Sequence, residues 1–215
     1  MTGKKTVILV AWDNETKNSL SDADKQRLDD NNIEIVYTGI GKINATRAIT
    51  DLVVRNEYES DMDLHIVNVG CAGSHTTGVR NLIKPNHFIQ RDMDARQFGY
   101  EQYRTPEENG WIIDDTFVGY PLHRDGHMRP SFDIVCATGD NANGYSETSD
   151  EVPAFDAVDM EAFAFAFVCA HYGVSFTCFK WITDLAAEDS TIEELIENNK
   201  LLPWTQIIDE ILLLD

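Results

Sequence analysis

The chain has 215 residues, 43% of them hydrophobic and 25% charged, with 17 Lys+Arg set against 37 Asp+Glu and a formal net charge of −20. That length fits one domain over residues 1–215, large enough to bury a core without disulfides or a structural metal. A field this negative repels phosphate backbones and anionic lipid, which argues against nucleic acid and membrane as partners and leaves a well-solvated cytoplasmic protein as the expectation.

The start, Met1–Lys5, is polar and basic, and the apolar run Val7–Ala11 behind it is far shorter than the roughly 18 residues of a membrane span. It carries no signal-peptide pattern either. Thr6–Ala11 reads as a buried first strand and Asn31–Tyr37 as a second, with the polar, irregular Ser19–Leu28 between them. After Gly39-Ile40-Gly41-Lys42, the near-helical spacing of Ile43, Ala45, Ala48, Ile49, Leu52 and Val53 predicts a helix over Ile43–Val54. Leu64–Val69 is a strand running into Gly70-Cys71-Ala72-Gly73, a small-residue loop at a strand's carboxyl end, where open α/β sheets bind ligands. His87–Gln90 is a short apolar segment, and Gln97–Arg129 reads as long loops with one or two short strands.

Ile134–Thr138 is a strand ending in Gly139-Asp140 and the polar Asn141–Glu151. Ala157–His171, almost wholly apolar, predicts a buried helix. Val174–Thr183 is the strongest strand in the chain and ends at Asp184. Ser190-Thr191-Ile192-Glu193 matches a capping box, and Pro203 suits the first turn of a last helix carrying Ile207, Ile208, Ile211 and Leu212. Val- and Ile-rich runs alternating with helices are the pattern of an α/β fold.

Cys71, Cys136, Cys169 and Cys178 form no CxxC pair, which suits reduced thiols, and the six histidines make no metal-ligand spacing. A nucleophilic Cys71 would need a His–Asp or His–Asn arrangement that is not readable beside it. Gly70–Gly73 lacks the ending of a phosphate-binding P-loop, and Gly39-Ile40-Gly41 lacks the third glycine of a dinucleotide fingerprint. Three carboxylates stand out by abutting strand ends or lying in a buried helix, where a charge is costly unless it is paired or used. Glu15 is either a functional acid or a solvated first-turn carboxylate. Glu161 is either functional or ion-paired with a base such as Lys180. Asp184 is either functional or the N-cap of a short turn.

Taken together and in order, these segments resemble the nucleoside phosphorylase/nucleosidase superfamily, most closely the 5′-methylthioadenosine/S-adenosylhomocysteine nucleosidases. The series is Ala11-Trp12-Asp13-Asn14-Glu15, then Thr38–Ala45, Val67–Gly73, Arg91-Asp92-Met93-Asp94 with Phe98-Gly99-Tyr100, Thr138-Gly139-Asp140, Ala157–Ala162 and Lys180–Asp184. The resemblance implies a three-layer α/β sandwich, a mixed, twisted central sheet flanked by helices, and cleavage of a purine nucleoside's N-glycosidic bond. It implies Asp184 as the general acid at the purine N7, oriented by Thr183, and Glu15 as the base for water. Glu161 would accept from the ribose hydroxyls, with Met160 against the sugar. Lys180 stands where many relatives have an arginine, and Cys71 where a serine is usual. Asp159, Cys71, Ala72, Gly73, Asn141, Ala142 and Tyr100 complete the expected substrate surface.

Phosphorylases of this superfamily hold phosphate with arginines in the first loop and just before the Gly-rich segment. Here those places carry Asp13, Asn14, Glu15 and Asn68, so water is the expected nucleophile, with no metal or organic cofactor. Phe98 and Tyr100 fall in a segment that crosses a subunit interface in relatives, which implies a homodimer. The alternatives are a phosphate-dependent phosphorylase, a nucleotide nucleosidase using Arg80, Arg91 or Arg96, and a nucleoside-binding protein that does not turn over.

Overall fold

The computed structural model describes residues 4–59, 63–106, 111–113, 116–119, 134–141, 155–186 and 191–214. In chain order these form β1 (Lys4–Val10), α1 (Asn14–Lys17), α2 (Asp22–Asp30), β2 (Glu34–Tyr37), α3 (Lys42–Glu59), β3 (Asp63–Gly73), β4 (Leu82–Ile83) and β5 (His87–Gln90). A 3-10 turn at Arg96–Phe98 precedes β6 (Trp111–Ile113), β7 (Thr116–Val118), β8 (Val135–Thr138) and β9 (Ala157–Asp159). The chain closes with α4 (Ala162–Tyr172), β10 (Ser175–Asp184), α5 (Ile192–Asn199) and α6 (Trp204–Leu212).

The sheet is mixed, in the order β2-β1-β3-β9-β8-β5-β7-β6, with β10 and then β4 branching from β3. Eight of its ten strands form two parallel sets, with β4 and β6 added antiparallel to β10 and β7. In one, β2, β1, β3 and β10 run the same way; in the other, β9, β8, β5 and β7 do. The sets meet antiparallel at one pair, Gly73 with Val158. Because the Val7–Val10 part of β1 is buried on both faces it is continuously apolar: Val7 and Leu9 enter a core shared with Ala45, Ile49 and Val53 of α3 and with α4, while Ile8 and Val10 enter one shared with Trp204, Ile207, Ile208 and Ile211 of α6. This is the helix-flanked mixed sheet expected from the sequence.

Four local expectations are corrected. Within the polar Ser19–Leu28 stretch a helix begins, capped by Ser21, whose Oγ accepts the Asp24 amide at 3.1 Å. It offers few apolar residues to a periodicity argument and is tied instead through Asp24 to Thr205 and Arg27 to Asp209 on α6. Gly70–Gly73 is not a loop but the last part of β3, hydrogen-bonded along β10. The apolar run from Ala157 is a strand before it is a helix: Val158 pairs with Ala137 and Gly73, and α4 starts only at Ala162. Buried strand and buried helix have the same composition there, and periodicity cannot separate them. The capping box sits one residue later than predicted, on Thr191 and Glu194; Ser190 lies outside the described residues.

Candidate active site

β1, β3 and β10 are parallel, so their carboxyl ends lie at one edge of the sheet, and the three sequence-selected carboxylates gather around the end of β3. Glu15 follows β1 on the short α1, whose backbone is held by Trp204: the indole N–H donates to the Glu15 carbonyl at 2.9 Å. Its side chain is 6% exposed and turns back onto β3, where Oε1 accepts the Cys71 amide at 2.6 Å and Oε2 accepts the Trp12 amide at 3.2 Å. This is not the solvated first-turn carboxylate. Burial pushes the Glu15 carboxyl up from the ordinary value, opposed by the Cys71 amide and the Lys180 charge.

Asp184 ends β10, three residues farther along β3. A register irregularity between Ile182 and Asp184 sets it opposite Gly73, the kind of local bulge that re-aims a side chain. Its Oδ2 accepts from the Thr183 hydroxyl at 3.0 Å and its Oδ1 from the Ala186 amide at 2.8 Å, so it also makes the turn anticipated for it. From the other side, Asn198 of α5 donates to the Thr183 carbonyl at 2.7 Å.

Glu161 is not inside a helix but at the N-cap position of α4, where its Oε1 accepts the Gly41 amide at 2.8 Å. Gly39 and Gly41, at φ 85° and 92°, make the turn that points this amide at it. Lys180 does not pair with Glu161. Its ammonium meets Asp159 Oδ2 at 2.8 Å, both side chains being 1% exposed. Asp159 also accepts from Thr138 Oγ1 at 2.5 Å and the Ala162 amide at 2.8 Å, which places it at the start of α4 rather than open to a ligand.

The charges here do not balance. One ammonium faces Asp159, Glu161 and Glu15, and the pair with Asp159 takes most of its effect. Burial alone would raise the Asp159 carboxyl, but Lys180, Thr138 and the Ala162 amide hold it below its ordinary value. Burial likewise opposes the Lys180 ammonium, and Asp159 raises it well above the usual range. Glu161 is left as the site's proton holder: burial, then repulsion from Asp159, pushes it up to about 8, against the pull of Lys180 and the Gly41 amide.

The remaining expected residues divide. Met160 is half-buried beside Glu161, Ala72 is buried with its carbonyl facing Thr183 Oγ1 at 3.4 Å, and Tyr100 is half-buried. Gly73 is held tightly: a Cβ there would stand 2.7 Å from Asp184 Oδ1. The Cys71 thiol contacts Asn199 Oδ1 at 3.0 Å, and burial with the Glu15 charge pushes it well above a normal thiol, the reverse of a reactive one. Asn141 is exposed and its Oδ1 accepts from Arg91 at 2.5 Å; Ala142 lies outside the described residues. Asn68 is buried and donates to the Leu9 carbonyl at 3.2 Å.

Two supporting roles escaped the sequence reading, though it named the residues. Arg91, 6% exposed, clamps the turn after β8 through Asn141. Lys42 pairs with Asp92 at 2.6 Å while the Asp140 amide bonds Asp92 and the Lys42 amide bonds Asp140, joining α3, β5 and β8. An arginine directly behind the apolar His87–Gln90 run was the available signal for the first. Among the described residues there is no group of three His, Cys, Asp or Glu placed to hold a metal, and no helix long and apolar enough to cross a membrane.

Known proteins resemble this chain in both sequence and fold. The 5′-methylthioadenosine/S-adenosylhomocysteine nucleosidase of Staphylococcus epidermidis is 29% identical over 183 residues, 80% of this chain and 78% of that protein. The structure of the nucleosidase of the same name from Helicobacter pylori superposes with a TM-score of 0.67 at 19% identity, over 98% of this chain and 99% of that one. Futalosine hydrolase from Helicobacter pylori superposes equally well, at 0.67 and 19% identity, over 96% of this chain and 99% of that one. Residues 25–202, most of the chain, match the Phosphorylase superfamily, and with the mixed sheet and its flanking helices this shows that the chain belongs to that superfamily.

Proposed function

We propose that this protein is an enzyme that hydrolyses the N-glycosidic bond of an adenine nucleoside such as 5′-methylthioadenosine or S-adenosylhomocysteine. One observation carries the reading: Glu15 and Asp184 both close on the carboxyl end of β3, against Gly70 and Gly73. Two carboxyls with separate acid and base roles about the reacting bond are the arrangement glycoside hydrolysis also uses.

In this reading Asp184, oriented by Thr183, protonates N7 so that the purine leaves neutral. The ribose gains positive charge as the bond breaks, and the surplus of carboxylates stabilises it. Glu161 accepts from the ribose hydroxyls, Met160 lies against the sugar, and Glu15 takes a proton from the attacking water. Lys180, held by Asp159, sets the charge beneath Glu15 rather than acting on the base. The arginines a nucleotide substrate would require are engaged elsewhere: Arg91 with Asn141, Arg96 with Asp94 and Arg80 with Asn198. The names of similar proteins support an adenine nucleoside, and futalosine is the substrate to test beside it.

Phe98 is 73% exposed on the Arg96–Phe98 turn, which supports assembly as a homodimer. Free, largely buried cysteines suit a cytoplasmic setting. The test is product analysis by chromatography on a nucleoside panel, with and without phosphate. Free sugar and adenine released independently of phosphate are expected; a sugar 1-phosphate product, or no release from any substrate, overturns the proposal.

A further inference from the structure

The bulge that aims Asp184 leaves a backbone group to be satisfied. The register of β10 on β3 passes from Ile182–Ala72 to Asp184–Gly73, so Thr183, 1% exposed, is the extra residue. A bulge residue drops out of the ladder, and a buried carbonyl there needs a partner. The partner is a side chain: Asn198, in the last turn of α5, donates from Nδ2 to the Thr183 carbonyl at 2.7 Å.

An amide has two ends, and only one of them can do this. Asn198 Oδ1 accepts from Arg80 Nε at 3.0 Å, and a guanidinium only donates, so turning the amide over would set N–H against N–H and oxygen against oxygen. Arg80 therefore fixes the orientation. It sits at φ 63°, in the left-handed region, with its own amide on the Ile182 carbonyl at 2.7 Å. The turn of α5 that carries Asn198 is pinned at two further points: the Trp181 indole donates to the Asn198 carbonyl at 2.9 Å, and the Cys71 thiol donates to Asn199 Oδ1 at 3.0 Å.

We propose that Asn198 is a positioning residue for Asp184, and that Arg80 acts through it by setting the direction of its amide. The contacts run from the Arg80 guanidinium through the Asn198 amide to the Thr183 carbonyl, and from the Thr183 hydroxyl to Asp184 Oδ2 at 3.0 Å. Losing the Asn198 donor frees the bulge to turn, and the carboxyl turns with it. The effect on catalysis rests on the hydrolytic reading above; the effect on where Asp184 is held does not.

The first test needs no substrate. Asn198→Leu keeps the bulk of the side chain and removes the donor. Amide hydrogen exchange is followed by NMR at Ser74 and Ala186, whose N–H groups donate to the Asp184 carbonyl at 3.1 Å and to its Oδ1 at 2.8 Å. Both are expected to exchange about tenfold faster, the effect of one hydrogen bond, while the Ile33 amide, on the Leu28 carbonyl at 2.9 Å, keeps its wild-type rate. Unchanged exchange at Ser74 and Ala186, or an equal acceleration at Ile33, overturns the proposal. If Asn198→Leu does not fold, Arg80→Met leaves the donor in place and is expected to speed the same two amides by less.

The second test is kinetic. With an adenine nucleoside, kcat of folded Asn198→Leu is expected to fall on the order of 10- to 100-fold with KM little changed, since binding does not need the proton aimed. Arg80→Met is expected to lose less, and Arg80→Lys, which still only donates, to recover most of that loss. In an Asp184→Asn background Asn198→Leu is expected to add nothing, because Asn198 acts through that carboxyl. A lower unfolding midpoint with kcat intact, or an undiminished further loss beside Asp184→Asn, overturns the proposal. A wild type that releases no adenine overturns the proposed activity instead, and the exchange rates then decide what holds Asp184.

Discussion

The Lys180 ammonium and the Asp159 carboxylate meet at 2.8 Å in the floor of the site, both sealed from solvent. Lys180 lies on β10 opposite Gly70, and Asp159 follows the Val158–Gly73 pair that joins the two halves of the sheet. Breaking such a pair from one side leaves an uncompensated buried charge, at a cost of about 3–5 kcal/mol. Asp159→Asn and Lys180→Met are each expected to lose that order of stability in urea titrations, and the double variant is expected to lose less than the two losses added. Additive losses would mean that the pair is not coupled.

Asp184→Asn keeps the shape of the side chain and its acceptor for the Ala186 amide, so the fold is expected to survive, with unfolding midpoints close to wild type. In the proposed mechanism the proton for the departing base is then gone. General acids contribute roughly 100- to 10,000-fold, and kcat for adenine release is expected to fall by that order. Near wild-type turnover by the folded variant would remove Asp184 from the acid's role.

How far the site was legible depended on the residue. Glu15 and Asp184 were visible because one lies a few residues beyond, and the other at the end of, an apolar run that buries a strand, and a strand's carboxyl end is where α/β sheets place ligands. The partner of Lys180 was not visible, because it depends on the register by which β10 and β9 both pair with β3, and no local pattern encodes that. Glu161 was found but placed in a helix, since apart from Asp159 the residues on either side of it in Ala157–Ala166 are apolar and do not distinguish strand from helix. Gly70 and Gly73 read as a loop by composition. In the strand their missing side chains make room for two carboxylates.

The pH dependence of stability is expected to report Glu161. Its carboxyl rises from an ordinary 4.5 to about 8 in the folded protein. Between those values the unfolded chain has released the proton and the folded chain still holds it, so stability falls as pH rises through the window; the favourable contribution is fully present only below about 4.5. Glu161→Gln does not titrate, while Glu15 remains in both proteins. The variant's midpoint is therefore expected to gain on the wild type from about pH 4.5 to about pH 8 and to hold level above. The gain has an upper limit of about 1.4 kcal/mol per pH unit. Midpoints measured from pH 4 to 9 without ligand check this, and a constant difference would mean that Glu161 titrates normally.

Gly73→Ala tests the placement of the acid without touching a titrating group. Gly73 has no need of positive φ; what it supplies is space. The added methyl would fall 2.7 Å from Asp184 Oδ1 and 2.9 Å from Ala186 Cβ, with the Ala186 backbone at 3.1 Å. The carboxyl could yield by rotating, but the Ala186 backbone must move with it, because the Ala186 amide holds that carboxyl at 2.8 Å. Overpacking of this kind costs about 1–3 kcal/mol, and a displacement of about 1 Å in a reacting group can cost on the order of 100-fold in rate. Gly73→Ala is expected to lower the unfolding midpoint modestly and kcat for adenine release far more, with KM little changed. A stability loss with kcat intact would show that Asp184 can shift without consequence, and would separate it from the chemistry.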